Sequence, residues 1–248
     1  MSALKDRIHL YLSQNPNIGF IVYEIVRKIK KFRIRGELDN FHRLKTLGFN
    51  PKSIFDVGAN RGEWSKNLIE IFKDSDFFLF EPQVEMEPFL KRFTELNEGS
   101  KYFITALGDS EKTEEIGIYP GYHGTTFLHD NLDLEKRKIN IQSINFLLEN
   151  ELVPMPDILK MDVQGFEMNI LKGATNCFNK TEIIILETYL YSFLSNQPIF
   201  SEIVNYMHDN GYVIFDFEPF NRNKGTKMLR YFDTIFIRKD SLIRKKAF

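Results

Sequence analysis

From Ser53 onward the chain alternates short apolar runs, rich in β-branched and aromatic residues, with segments of helical periodicity. No other feature constrains the fold as tightly, because strands separated by helices assemble as βαβ units around a mostly parallel sheet. Strands are expected over residues 53–57, 77–81, 101–106, 158–162, 182–187, 212–217 and 231–238, and helices over 63–72, 84–96, 143–149, 166–171 and 200–210. The stretch 114–140 breaks the rhythm. It carries Gly117, Pro120, Gly121 and Gly124 and is expected to form an extra strand with a loop; loops inserted beside a site often carry substrate selection.

At 248 residues and 43% hydrophobic content, the chain can bury one substantial core. The expected organisation is a helical extension over residues 1–50, then one catalytic domain over 51–248 with its insertion near 110–140. The 33 basic and 34 acidic residues leave a net charge of −1, so no global positive field exists to hold a nucleic-acid backbone. Cys177 is the single cysteine; it can form no internal disulfide and has no cysteine partner for a zinc site, which fits a reducing compartment. No signal-peptide pattern and no span of about 18 uninterrupted apolar residues is found. A cytoplasmic location is expected.

The first 50 residues read differently. Ile18, Val22, Ile25, Ile29 and Phe32 recur at spacings of three and four among Arg27, Lys28, Lys30, Lys31, Arg33 and Arg35, the pattern of a basic amphipathic helix. Such a helix suits peripheral contact with an anionic membrane surface, or a two-fold contact in a homodimer. Packing across the catalytic domain with solvated cations is the plainer expectation. A further short helix is expected over 37–47, ending at Gly48.

Directly after the first strand comes Asp56-Val57-Gly58-Ala59-Asn60-Arg61-Gly62-Glu63, a glycine-bearing turn entering a helix. Glycine accepts positive φ and adds no Cβ bulk, so the turn's backbone amides are expected to approach a ligand closely. A dinucleotide site asks for G-x-G-x-x-G, yet Asn60 and Glu63 occupy the second and third glycine positions, and a phosphate would meet a carboxylate. The mismatch favours a zwitterionic ligand end, such as the methionine part of S-adenosyl-L-methionine, on Gly58, Ala59 and Asn60. Asp56 would brace the turn or accept a bond from the ammonium. The second strand ends in Phe80-Glu81-Pro82, where α/β nucleoside sites place the carboxylate that grips ribose, which assigns Glu81 with Pro82 beside it. Ala106 and Leu107, ending the third strand, would edge the adenine.

In open sheets, ligands bind where strand order reverses, and this sets the first strand beside the fourth. The fourth ends in Lys160-Met161-Asp162-Val163-Gln164-Gly165, so Asp162 should face the methyl-bearing sulfonium or the acceptor, and could orient the acceptor hydroxyl or take its proton; helix capping is its structural alternative. Glu187, after four aliphatics, is a second acid/base candidate or a buried paired charge. His123, in the insertion with His129, is a third candidate base. Methyl transfer also rests on alignment of oxygen, carbon and sulfur, which proximity can supply without a strong base.

Taken together, Asp56-Val57-Gly58-Ala59-Asn60, Phe80-Glu81-Pro82, Ala106-Leu107-Gly108-Asp109, Lys160-Met161-Asp162-Val163-Gln164-Gly165-Phe166-Glu167 and Leu171-Lys172-Gly173-Ala174 resemble the FkbM family of methyltransferases. The resemblance spans roughly residues 52–190. It implies a Rossmann-like class I methyltransferase fold with a seven-stranded sheet whose last strand runs antiparallel. It implies S-adenosyl-L-methionine on the Gly58 turn and Glu81, and O-methylation of a hydroxyl on a sugar, glycan or natural product. Asn145 stands where Asp is usual, and Gln164 where Glu is frequent. Both changes remove negative charge and count against a divalent metal, although Asp162, Glu187 and a histidine could still assemble a site. No metal is assigned.

Two other functions compete. An NAD-dependent oxidoreductase on a related fold would need the phosphate-binding turn that is missing here. A non-catalytic membrane-associated protein would leave Asp56, Glu81 and Asp162 without a role. The Asn/Asp-Pro-Pro-aromatic segment by which base-amino methyltransferases hold an amine is absent, a further argument against nucleic acid.

Overall fold

A computed structural model describes residues 38–118, 127 and 134–247. The basic segment before residue 38, His123 and His129 lie outside the described residues. Residues from Phe41 onward form one compact unit.

The element order is α1 (Asp39–Thr46), β1 (Ser53–Val57), α2 (Glu63–Leu68), β2 (Asp76–Phe80), α3 (Glu87–Leu96), β3 (Lys101–Phe103), β4 (Ala106–Leu107), β5 (Lys112–Ile118), β6 (Glu135–Gln142), α4 (Ile144–Glu149), β7 (Ile158–Met161), α5 (Glu167–Lys172), β8 (Ile183–Tyr189), α6 (Phe200–Asp209), β9 (Tyr212–Arg222), β10 (Leu229–Arg238) and α7 (Leu242–Ala247). Seven strands form the main sheet in the order β3-β2-β1-β7-β8-β10-β9. The first five are parallel, while β10 runs antiparallel to both β8 and β9. This is the Rossmann-like α/β architecture expected from the alternating pattern. The chain winds outward from β1 to β3 and then returns to the other side of β1 as β7, so the reversal of strand order falls between β1 and β7.

Strand side chains alternate between faces, and each face has its own helices. Phe55, Val57, Phe78, Phe80, Leu159, Met161, Ile184 and Leu186 share a core with Ile144 and Leu147 of α4, Ile170 and Leu171 of α5, and Ile203 and Met207 of α6. On the opposite face Phe77 meets Phe93 of α3 edge-on at 5.6 Å. Burying each such side chain contributes about 1.5–3 kcal/mol, and β1, fully buried along its length, has both its edges and both its faces covered. It is a rigid base for the turn that follows it.

Several boundaries differ from expectation, each for a local reason. The 84–96 helix divides into a 3-10 turn (Val84–Met86) and α3, whose first turn holds Pro88; proline lacks the amide that would extend the helix backward. The expected strand 101–106 stops at Phe103, and Ala106–Leu107 joins a second sheet of order β4-β6-β5. Thr105 marks the switch, its Oγ1 donating to the carbonyl of Asn140 at 3.1 Å. The insertion therefore supplies two antiparallel strands, paired from Lys112↔Ile141 to Ile118↔Glu135, where one was expected. β9 runs past residue 217 through Pro219, which an edge strand tolerates because its outer amides need no partner.

Candidate active site

The turn after β1 is built from three left-handed residues, Gly58 (φ 77°), Asn60 (φ 48°) and Gly62 (φ 69°). Its amides do not face outward as the sequence suggested. Gly58 and Ala59 donate to the carbonyl of Phe80 at 2.9 and 3.1 Å, and Asn60 donates to Oε2 of Glu81 at 2.8 Å. The tip of β2 consumes three successive donors, which leaves this turn poorly equipped to cradle a phosphate.

Glu81 is 3% exposed. Its Oε1 accepts from the Gln83 amide and from the Gln83 side-chain Nε2, both at 3.0 Å. Burial raises its carboxyl above the ordinary range, against the lowering effect of these bonds. A carboxylate has roughly four acceptor positions, so a ligand hydroxyl still has a place on Oε2.

Across the strand reversal, Asp162 donates its backbone amide to the carbonyl of Val57 at 3.0 Å. Its side chain is 39% exposed. Behind it stands a polar cluster strung along the strand ends. Asp56 and Lys160 are direct cross-strand partners, both buried, with Lys160 Nζ 3.6 Å from Asp56 Oδ1 and 3.5 Å from Asp162 Oδ2. Ser65 donates to the other oxygen of Asp56 at 2.6 Å, and the ammonium lies over the Trp64 ring at 5.4 Å. Burial alone would discharge Lys160, but Asp162, Asp56, Asp233 and Glu187 outweigh it and hold its pKa above the usual lysine range.

Gln164, in a left-handed conformation at φ 56°, donates its Nε2 to Asp162 at 2.9 Å and to Glu187 at 3.1 Å. Glu187 also accepts from the Tyr189 hydroxyl. Burial, then the Asp162 charge, push the Glu187 carboxyl well above its ordinary value. Glu167, 1% exposed, accepts from the amides of Val163 and Gly165 at 3.2 Å each and so fixes the loop after Met161.

These elements enclose a cavity of about 480 Å³, within the range of small-ligand sites. Gly58, Ala59, Asn60, Glu81, Pro82, Ala106, Leu107 and Asp162 all line it. Asp56 also borders it but is 0% exposed, a position that braces the turn. Glu187 is set behind Gln164 and is not one of the lining residues. Other lining residues were not assigned from sequence, among them Trp64, Thr105, Ile116, Phe127, Lys160 and Tyr231. Lys160 carried a signal, a charge inside an otherwise aliphatic strand; Ile116, Phe127 and Tyr231 carried none. The two amides noted in the sequence part company. Gln164 faces the cavity, whereas Asn145 ties α4 to the 3-10 turn Thr175–Cys177, donating to Thr175 Oγ1 at 2.8 Å and accepting from the Asn176 amide at 2.9 Å. Among the described residues, no group of three or more His, Cys, Asp or Glu is placed to hold a metal ion, and no helix is long and apolar enough to cross a membrane.

A cavity at the strand reversal of such a sheet, with an acidic residue closing the second strand, lies where nucleoside-binding α/β folds hold their ligands. The chain belongs to the FkbM methyltransferase family: the family model described as Methyltransferase FkbM domain matches residues 56–214. It is a methyltransferase, and its methyl donor is S-adenosyl-L-methionine. The chain is 26% identical over 199 residues to the hexuronic acid methyltransferase AglP of Haloferax volcanii, covering 76% of this chain and 81% of that one. The crystal structure of methyltransferase FkbM from Methylobacillus flagellatus KT is similar at 18% identity and a TM-score of 0.49, over 75% of this chain; the match spans 43% of that longer protein. Magnesium protoporphyrin IX methyltransferase from Synechocystis PCC 6803 is similar at 12% identity and a TM-score of 0.46, over 84% and 82% of the two chains.

Proposed function

We propose that this protein methylates a hydroxyl oxygen on a sugar or glycan, the class of molecule named for its Haloferax relative, with the methyl donor in the cavity between β1, β2 and β7. The residues fit that donor end to end. Glu81 offers an acceptor to the ribose, while Ala106, Leu107, Ile116, Phe127 and Phe166 give a flat base an apolar slot. Asn60 and Glu63 give an ammonium oxygen partners at the turn. Asp56 and Asp162 flank one ammonium, Lys160, at 3.6 and 3.5 Å, and an acidic surrounding suits a ligand with a positive sulfur better than a pyrophosphate.

The observation that carries the reading is the fastening of Glu81 to the Asn60 amide. It makes the ribose ligand and the donor turn one rigid piece, across from the half-exposed Asp162. When bound, the donor supplies an electrophilic methyl group. Asp162 would then orient the acceptor hydroxyl and take its proton as the oxygen attacks, with Lys160 and Gln164 holding the carboxylate in place. Glu187, buried and held toward its protonated form, serves as scaffold behind Gln164.

Calorimetric titration of the full chain with S-adenosyl-L-methionine and with NAD, followed by transfer of a labelled methyl group to a panel of simple glycosides, tests the proposal. Binding of the methyl donor together with a label in an alkali-stable ether is expected. Donor binding with label found only on nitrogen or carboxyl acceptors would overturn oxygen methylation.

A further inference from the structure

Beside the mouth of the cavity lies an aromatic ledge that donor binding does not use. Tyr231 lines the cavity and sits directly opposite Tyr189 in the β8–β10 pairing, ring to ring at 5.2 Å. Tyr189 in turn meets Phe193 at 6.2 Å. Beyond them Phe193 is 48% exposed and Tyr191 51% exposed. An exposed aromatic such as Phe193, joined ring to ring through Tyr189 to the cavity wall, marks a surface suited to being covered. The ledge is also built, not loose. Buried Gln197 accepts from the amides of Phe193 and Leu194 at 2.8 and 3.3 Å, and the Leu190 amide donates to the Arg230 carbonyl at 3.0 Å.

Set into this ledge is Arg230. Its guanidinium lies 4.8 Å from the Phe193 ring centre and 5.8 Å from that of Tyr231. It is half-buried and has no carboxylate partner among the described residues. Arg137 and Arg238, by contrast, are each occupied by carboxylates at 2.9 Å. A planar guanidinium fixed by aromatic faces and left unpaired is preorganised for a carboxylate, which it binds through two parallel hydrogen bonds.

We infer that Phe193, Arg230 and Tyr231 form an acceptor subsite for an acidic sugar, a pyranose whose carboxylate pairs with Arg230 while its C–H face lies on the aromatic ledge. This inference rests on the sugar-hydroxyl reading above and deepens it. The negative face of an aromatic ring attracts the weakly positive C–H bonds of a sugar. Tyr231 lines the cavity with Asp162, and Arg230 lies against its ring, so a sugar lying across Tyr231 would put its carboxylate at the cation and a ring hydroxyl toward Asp162. The arrangement also turns the anion away from Asp162, where a like charge would repel it.

The test uses the full chain loaded with S-adenosylhomocysteine and two probes that differ by one carboxylate, methyl glucuronoside and methyl glucoside, titrated by ligand-observed NMR. The glucuronoside should bind at least about tenfold more tightly. R230Q should erase that preference, R230K should keep part of it, and F193A should weaken both sugars alike; all three should bind the methyl donor as the unaltered chain does. Equal, measurable binding of the two probes to the unaltered chain, or a preference that survives R230Q, overturns the acidic subsite and leaves the sugar-hydroxyl reading standing. Binding of neither probe, with donor binding intact, overturns both.

Discussion

A methyl group placed on Gly58 would stand 2.0 Å from the carbonyl oxygen of Asp162. The turn after β1 and the loop after β7 therefore touch at a point where only glycine fits, and the left-handed φ of 77° favours glycine independently. This contact adds to the bond from the Asp162 amide to the Val57 carbonyl in registering the two sides of the cavity.

Gly58→Ala should be destabilising by about 2 kcal/mol or more, from backbone strain together with displacement of Asp162. Chemical denaturation gives the loss, and calorimetry should show donor binding weakened in parallel. A variant as stable as the parent would mean that the turn relaxes without cost.

Glu81→Gln keeps the shape of the side chain and removes its charge. Because hydrogen bonds to charged groups are worth about 1.5–3 kcal/mol, donor affinity should fall by roughly tenfold to a hundredfold. Titration of the variant measures this directly, and unchanged affinity would place the ribose elsewhere.

Asp162→Asn should lower kcat by about a hundredfold or more, the usual contribution of a positioned general base, while leaving donor affinity within a few-fold. If affinity collapses and kcat holds, Asp162 positions the donor and not the acceptor.

Lys160→Met removes the cation between Asp56 and Asp162 and strands a buried carboxylate, at an expected stability loss of about 3–5 kcal/mol. Adding Asp56→Asn should recover much of it. Urea midpoints for the two single variants and the double variant complete the cycle.

Glu167 supplies a pH signature. Burial pushes its carboxyl from an ordinary 4.5 to about 7 in the folded chain, so the folded state holds the proton more tightly than the unfolded one. The stabilisation from that proton is complete below about pH 4.5 and is lost as pH climbs through about 7. Glu167→Gln retains an oxygen for Val163 and Gly165 but cannot ionise. Relative to that variant, the Tm of the parent should drop between these two pH values and level off above them; a constant difference would mean that the carboxyl is ionised throughout.

The parts of this protein that were legible in its sequence are those fixed by neighbours in the chain. β1, its glycine turn and Glu81 follow from strand periodicity and local turn chemistry, and the fall of Asp162 beside them follows from the winding rule for such sheets. The orientation of the turn was not legible. Whether Gly58 and Ala59 offer their amides to a ligand or to Phe80 depends on how far β2 extends, which no local pattern states. The sheet change after Phe103 depends on β6, more than thirty residues later in the chain. Tyr231 reaches the cavity only because β10 inserts between β8 and β9, a crossing that leaves no mark on the composition of either strand.

That insertion divides the labour of the molecule. The residues proposed to hold the donor stand mostly at the ends of the buried middle strands, whereas the proposed acceptor ledge is lent by β10 and the segment after β8. Clientele can thus be rewritten at the rim of the protein, one peripheral segment at a time, while the shared currency of methyl groups continues to be handled by machinery that never has to change.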